Sequence, residues 1–320
     1  MFNIFRIVEN RRYYFLLSAI VIALGLAAMV YNTLTLPTRT PWKLGVDFLP
    51  GSRFELRFTQ PITEDQIRQV FQRAGVSNPS ITRLGNPSEN TWQVRTIFLE
   101  GERAQNIRSA LAAIAPLDEA RTQIQAVSPA VAEQVTRAAM LAIVVAAVAI
   151  LFFIWLSFRK AQHAVRYSVC AILALLHDIL VAAGVMALLS VLLDWEVDAL
   201  FLTAILTVLG FSIQDTIVVY DRIRENLARY RDSAFEMIVT RSVLETLHRS
   251  LVISLTTILV MVALLLFGGA SIRQFIVVLL VGMVSGTYSS IFVAVPLVVG
   301  WFERDLLGVR RGSVMAVAGK

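Results

Sequence analysis

The chain has 320 residues, 57% of them hydrophobic and 16% charged, a balance too apolar for an ordinary water-soluble domain. A net charge of +6 would suit a nucleic-acid binder, but Lys and Arg gather at the flanks of apolar segments, as in a membrane protein. Cys170 stands alone, no Cys/His cluster has metal-ligand spacing, and no phosphate-cradling glycine loop occurs. An intrachain disulfide is therefore excluded, and no metal, nucleotide cofactor or nucleic-acid partner is expected.

Six apolar stretches are long enough to cross a bilayer as helices of about 20 residues, at 13–31, 138–158, 165–193, 197–220, 250–270 and 275–302. The expected fold class is an α-helical membrane protein: a six-transmembrane-helix bundle with an inserted α+β ferredoxin-like external domain. The first stretch exceeds the ~7–15 residues of a signal-peptide core, and no cleavage site follows it, so it is read as an uncleaved span. The third and sixth exceed the minimum length, which predicts tilt or overhang.

Arg6, Arg11 and Arg12 precede span 1, and Arg159, Lys160 and Arg166 separate spans 2 and 3. Arg222, Arg224, Arg229, Arg231, Arg241 and Arg249 lie between spans 4 and 5, and Arg304, Arg310 and Arg311 follow span 6. The opposite side carries Asp194, Glu196 and Asp198, with Arg273 between spans 5 and 6. The bias places both termini in the cytoplasm. The resulting divisions are 1–31 for the N-terminus and span 1, 32–137 for the external domain, 138–302 for spans 2 to 6 with a cytoplasmic loop at 221–249, and 303–320 for a cytoplasmic tail.

Within the external segment, residues 53–59 alternate as a strand, with Phe54, Leu56 and Phe58 on one face. Thr63 is placed to cap a helix over 64–74 with Ile67, Val70 and Phe71 as its apolar stripe. Strands follow at 79–84 and 91–99, separated by turn residues 85–88. A second helix covers 102–115, with Ile107, Leu111 and Ile114 inward, and a last strand covers 121–127. The order β-α-β-β-α-β is that of the ferredoxin-like split motif, which hosts many functions. Between spans 4 and 5, Ser233 and Glu236 fit a capping box. Phe235, Ile238, Val239, Leu244 and Leu247 then follow at helical spacing, so an amphipathic helix at the cytoplasmic surface is expected, or equally a connector packed on the bundle.

Asp215 lies within span 4, where a carboxylate costs several kcal/mol, roughly 2.5–3.5 on insertion scales. Such a residue marks an ion or proton path, or else serves helix packing. It sits about 9 Å deeper than Asp221 at the exit of the span. Arg249 begins span 5 and is either its cation partner or an interfacial anchor. A carboxylate poised between a cation and a desolvating surround can load and release a proton as helices move. Asp178, near the middle of span 3, is either a relay member or a carboxylate hydrogen-bonded across helices. His177, next to it, points about 100° away and need not be its partner. Gly282, Gly286 and Ser290, with Ser285 and Ser289 beside them, form a small-residue stripe on span 6. Thr203, Thr207, Gly210 and Gln214 form another on span 4. Close packing of these spans is expected, with hydroxyls supporting water near Asp215.

Residues 210–226 read G-F-S-I-Q-D-T-I-V-V-Y-D-R-I-R-E-N, which closely resembles the span-4 signature of the SecF family of protein-export membrane proteins. G-V-D-F-L-P-G at 45–51, V-S-P at 127–129, His177-Asp178 and T-L-H-R-S at 246–250 resemble further family elements, so the likeness covers nearly the whole chain. Departures are Pro50 and Ser128 where the family has glycine, and Gln214 where it has Asn. The resemblance implies membership of the resistance–nodulation–division superfamily and a bacterial cytoplasmic-membrane location. It implies a heterodimer with SecD, association with the SecYEG channel and accessory translocon subunits, and contact with translocating preprotein and membrane lipid. It makes Asp215 and Arg249 proton-path residues that couple the proton-motive force to late-stage translocation and release, with no enzymatic site. Apart from the resemblance, Asp178, Gln214, Thr207 and Ser285 are candidate accessory polar residues, and Gly210, Gly282 and Gly286 are expected to pack helices. The competing functions are half of a proton-driven small-molecule or lipid exporter of the same superfamily, and a translocon scaffold that transduces no energy.

Overall fold

The computed structural model describes residues 8–84, 89–159 and 164–303. The turn at 85–88 and the flanking cations Arg6, Lys160, Arg304, Arg310 and Arg311 lie outside them. The chain divides into two compact units, Leu44–Ala142 and a unit made of Met1–Lys43 with Ile143–Lys320.

The smaller unit is a four-stranded antiparallel sheet with two helices. Strands β1 (Gly51–Arg57), β2 (Ser80–Leu84), β3 (Thr91–Thr96) and β4 (Gln123–Val127) lie in the order β2-β3-β1-β4. That is the ferredoxin-like arrangement: β3 is the centre of an antiparallel pairing with both β1 and β2. Alternation along β1 buries Phe54 and Leu56, and Phe58 follows on the same face. Helix α2 (Glu64–Arg73) covers them with Ile67, Val70 and Phe71, and Phe54 meets Phe71 edge-on at 5.1 Å between ring centres. Thr63 caps α2, forming a reciprocal capping box with Gln66. Helix α3 (Gly101–Ile114) buries Ala104, Ile107 and Leu111. Ile114, expected inward, is exposed: it is the last residue of α3, beyond the buried positions Ala104, Ile107 and Leu111. Ser128 Oγ accepts from the Val131 N–H at 3.4 Å, a helix cap that the family's glycine has no side chain to provide.

Among the described residues, six helices are long and apolar enough to cross a membrane. They are α1 (Arg11–Thr35), α4 (Pro129–Phe158), α5 (Ala164–Leu193), α6 (Ala199–Arg229), α7 (Phe235–Phe267) and a composite sixth. The sixth joins α8 (Ala270–Ser289), a π-helical segment (Ser290–Ala294) and α9 (Val295–Glu303). Helix α4 starts at Pro129, well before the apolar run at 138, since proline is well suited to a first helical turn and nothing beyond it breaks the helix. The amphipathic segment after Ser233 is not a separate surface helix but the opening turns of the 33-residue α7. No Gly or Pro interrupts 235–267, so the backbone ladder runs through. Its N-cap is Ala234, without a side-chain cap, so Ser233 falls one residue out of register for the capping box. These turns bury Ile238, Val239 and Val243. They lie beside the end of α6, where Glu245 accepts from Arg222 Nε at 2.6 Å, Asn226 Nδ2 at 2.8 Å and Arg241 Nε at 2.9 Å.

Helices α1 and α5 cross with their backbones in contact. A Cβ built on Gly184 would lie 2.8 Å from the Gly25 Cα, and one built on Gly25 2.7 Å from the Gly184 Cα. A larger residue at either position must separate the helices, since neither obstacle is a movable side chain. Gly184→Val is expected to cost about 1–3 kcal/mol. Gly210→Ala, with nothing within 4 Å of the new Cβ, should be neutral or slightly stabilising. Thermal melting of the detergent-purified protein checks the pair, and equal melting of both variants would contradict the crossing.

Candidate functional site

Helix α6 carries Ser212 and Asp215 three residues apart, so both face the same side of the helix. Helix α8 carries Gly282, Ser285, Gly286 and Ser289 on its facing side. The absent side chains decide the distance between them. A Cβ on Gly282 would lie 2.1 Å from a Val208 methyl, and one on Gly286 3.2 Å from the Ser212 Cβ. The helices thus approach closely enough for short serine side chains to bridge them.

Asp178 on α5 is fully buried at this junction. Its Oδ2 accepts from Ser212 Oγ at 2.5 Å and Ser289 Oγ at 2.7 Å. Its Oδ1 accepts from Ser285 Oγ at 2.6 Å and lies 3.0 Å from His177 Nδ1. Four partners match the roughly four lone-pair sites of a carboxylate. The hydroxyl distances are those of charge-assisted bonds. His177 is therefore a partner of Asp178 despite its adjacent position, and its Nε2 lies 3.0 Å from Ser18 Oγ on α1. One buried network ties α1, α5, α6 and α8.

Asp215 has a sparser setting. It is half-buried, and its Oδ1 accepts from Ser250 on α7 while its Oδ2 accepts from Ser290 Oγ at 2.8 Å. A cavity of about 50 Å³, roomy enough for water, is lined by Gln214, Asp215, Arg249, Ser250, Ser254 and Thr287 among others. Arg249 and Gln214 are exposed members of that lining. Among the described residues no ion pair joins Arg249 to Asp215, so the two share a cavity rather than a salt bridge. Ser285 belongs to the Asp178 network instead. Thr207 lies away from both carboxylates and donates to the Thr203 carbonyl of its own helix at 2.7 Å. Gly210 is exposed, and a Cβ built on it would meet no neighbouring atom within 4 Å, so it does not mediate a close helix approach. The face of α6 that meets α8 carries Val208 and Ser212 rather than the expected stripe, since these are the residues that Gly282 and Gly286 leave room for. Sequence reasoning missed Ser212, Ser250 and Ser18. The available signal was a hydroxyl three residues before Asp215 and another directly after Arg249.

Residues 106–304 match the family model described as protein export membrane protein SecD/SecF, C-terminal. The chain belongs to the SecD/SecF family. A protein translocase subunit SecF from Thermobaculum terrenum is 38% identical to it, covering 95% of this chain and 96% of the relative. One from Anaerolinea thermophila is 37% identical over 92% and 93%. Among solved structures, the crystal structure of SecDF from Thermus thermophilus, a translocon-associated membrane protein, superposes with a TM-score of 0.76 at 30% identity. It matches 95% of this chain, which spans 40% of the SecDF chain.

A carboxylate with four partners is costly to remove. Ser212→Ala, Ser285→Ala and Ser289→Ala should each destabilise the bundle by roughly 0.5–1.5 kcal/mol. Asp178→Ala should cost more than any of them, since it strands several buried donors at once. Melting of the purified protein is the measurement. An unchanged melting temperature for Asp178→Ala would remove the structural role of the network.

Proposed function

We propose that this chain is an auxiliary subunit of the Sec protein translocase, working with SecD to couple the proton-motive force to late-stage preprotein translocation and release. Its relatives carry the name of that subunit, and the SecDF structure it resembles is translocon-associated. The same likeness favours protein translocation over small-molecule or lipid export. The protein is a multi-pass membrane protein, and in this reading it lies in the bacterial cytoplasmic membrane with both termini inside, as its Arg-rich flanks suggest. The α+β domain is then external, where it contacts the preprotein mechanically. SecYEG and its accessory subunits are the channel partners.

The observation that carries the energetic part is the contrast between the two carboxylates. Asp178 is saturated with partners and sealed, whereas Asp215 is half-buried, has two hydroxyl partners and shares a hydratable cavity with a guanidinium. Only the second can exchange a proton without dismantling the bundle. A charged Asp215 attracts Arg249 across the cavity, and protonation cancels that attraction, which shifts the balance of forces between α6 and α7. Neither a half-exposed carboxylate nor an exposed guanidinium tolerates lipid, so a SecD helix covers this face.

Asp215→Asn keeps the size and much of the hydrogen bonding but cannot carry a proton. In vesicles containing the SecD complex it should abolish stimulation of export by a proton gradient while leaving assembly intact. Normal stimulation would leave the scaffold reading ahead. Arg249→Ala should also impair stimulation, and a double-mutant cycle should show that the two losses do not simply multiply. Independent effects would mean that the shared cavity does not couple them.

A further inference from the structure

Ser289 and Ser290 are neighbours, yet they serve different carboxylates. Ser289 Oγ donates to Asp178 at 2.7 Å and Ser290 Oγ to Asp215 at 2.8 Å. Successive helical side chains point about 100° apart, so one turn can reach a group on either side. At this point α8 gives way to the π-helical segment Ser290–Ala294. Such widened turns are rare and concentrate at functional sites. Pro296 supplies a local reason: in a regular α-helix its ring would strike the Phe292 carbonyl, and a widened turn relieves that clash. Tyr220 Oη donates to the Ala294 carbonyl at 2.9 Å and fastens the segment to α6, the helix that carries Asp215.

Each of these hydroxyls has one proton and a second acceptor in reach. Ser290 Oγ lies 3.1 Å from the Thr287 carbonyl, and Ser289 Oγ 3.3 Å from the Gly286 carbonyl. A charged Asp215 takes the Ser290 proton as a hydrogen bond. A protonated Asp215 is itself a donor to Ser290 Oγ, and the Ser290 proton then turns to the Thr287 carbonyl. Ser290 keeps its own proton throughout, so the proton that Asp215 takes up is the one it releases. Among the described residues, the charged and titratable groups around this point are Arg249 on α7, which lines the same cavity, Asp178 on α5, which accepts from the neighbouring serine and is itself bonded to His177, and Tyr220 on α6, which bonds the Ala294 carbonyl. The π segment itself has no charged residue.

We propose that Ser290 is a positioning residue for Asp215: a hydroxyl rotor that stays bonded to the carboxyl in both charge states and transmits the reversal to the π turn through the Thr287 carbonyl. This rests on the reading of Asp215 as the proton carrier. The test is infrared difference spectroscopy between acid and alkaline pH on the complex with SecD in liposomes. The Asp215 carboxyl band is identified by its loss in Asp215→Asn. Ser290→Ala should move that band to higher wavenumber and cut gradient-driven export several-fold, and Ser290→Thr, which keeps the hydroxyl, should restore both. Should the alanine variant fail to assemble, Ser290→Cys, a weaker donor of similar size, should give an intermediate band. A band unmoved by Ser290→Ala, or not restored by Ser290→Thr, overturns the role of Ser290 and leaves Asp215 as carrier. No band lost in Asp215→Asn removes the carrier reading itself, and the inference with it.

Discussion

Hydrocarbon offers a carboxylate nothing to bond with, and the bundle is arranged around that constraint. Every acceptor on Asp178 has to be met by protein, and the donors that meet it come from three helices. Serines can reach only if the helix backbones come close, which requires glycine at 282 and 286 opposite Val208 and Ser212. The small-residue stripe on α8 and the polar network are thus one device. The stripe sets the spacing that the short hydroxyls need, and the hydrogen bonds fix the register of the helices.

The two units of the chain are stabilised by different physics. In the α+β unit, Phe54, Leu56, Phe58, Phe71 and Trp92 form an apolar core that water drives together. In the bundle no such force acts between helices once they are in lipid, and close packing and polar bonds take its place. The difference suits a division of labour between a body that keeps its shape and a set of helices whose contacts depend on charge.

Most of the fold was legible in the sequence. Span lengths follow from apolar runs, and the strands and their buried faces follow from period-two alternation broken by turn residues, as Phe54, Leu56 and Phe58 illustrate. Helix ends were less legible: α4 and α7 extend beyond their apolar runs because polar residues continue a helix as well as apolar ones do when no breaker intervenes. Asp215 and Asp178 stood out because a charge in hydrocarbon is rare. Their partners did not, since serine is common and inconspicuous in transmembrane helices. Which face of α6 meets α8 depends on how Val208 fits against Gly282, a matter of shape between residues far apart in the chain. The relation of Arg249 to Asp215 was legible only as proximity, because the length of a side chain sets its reach but not its direction.

Helix α7, at 33 residues, is about 50 Å long, and α6, at 31, is about 46 Å. The hydrocarbon core is about 30 Å thick, so the hairpin they form stands roughly 15 Å clear of it. Arg222 and Asn226 on α6 both donate to Glu245 on α7, which ties the two arms together into one stalk. Asp215 lies roughly 21 Å along the axis from Arg229. A tilt of about 10° pivoting at that depth therefore sweeps the tip of the stalk by nearly 4 Å, an order-of-magnitude figure from helix geometry. The hairpin is a lever with its base in lipid and its tip in water, and a soluble protein gripping that tip can feel an event inside the membrane without entering it.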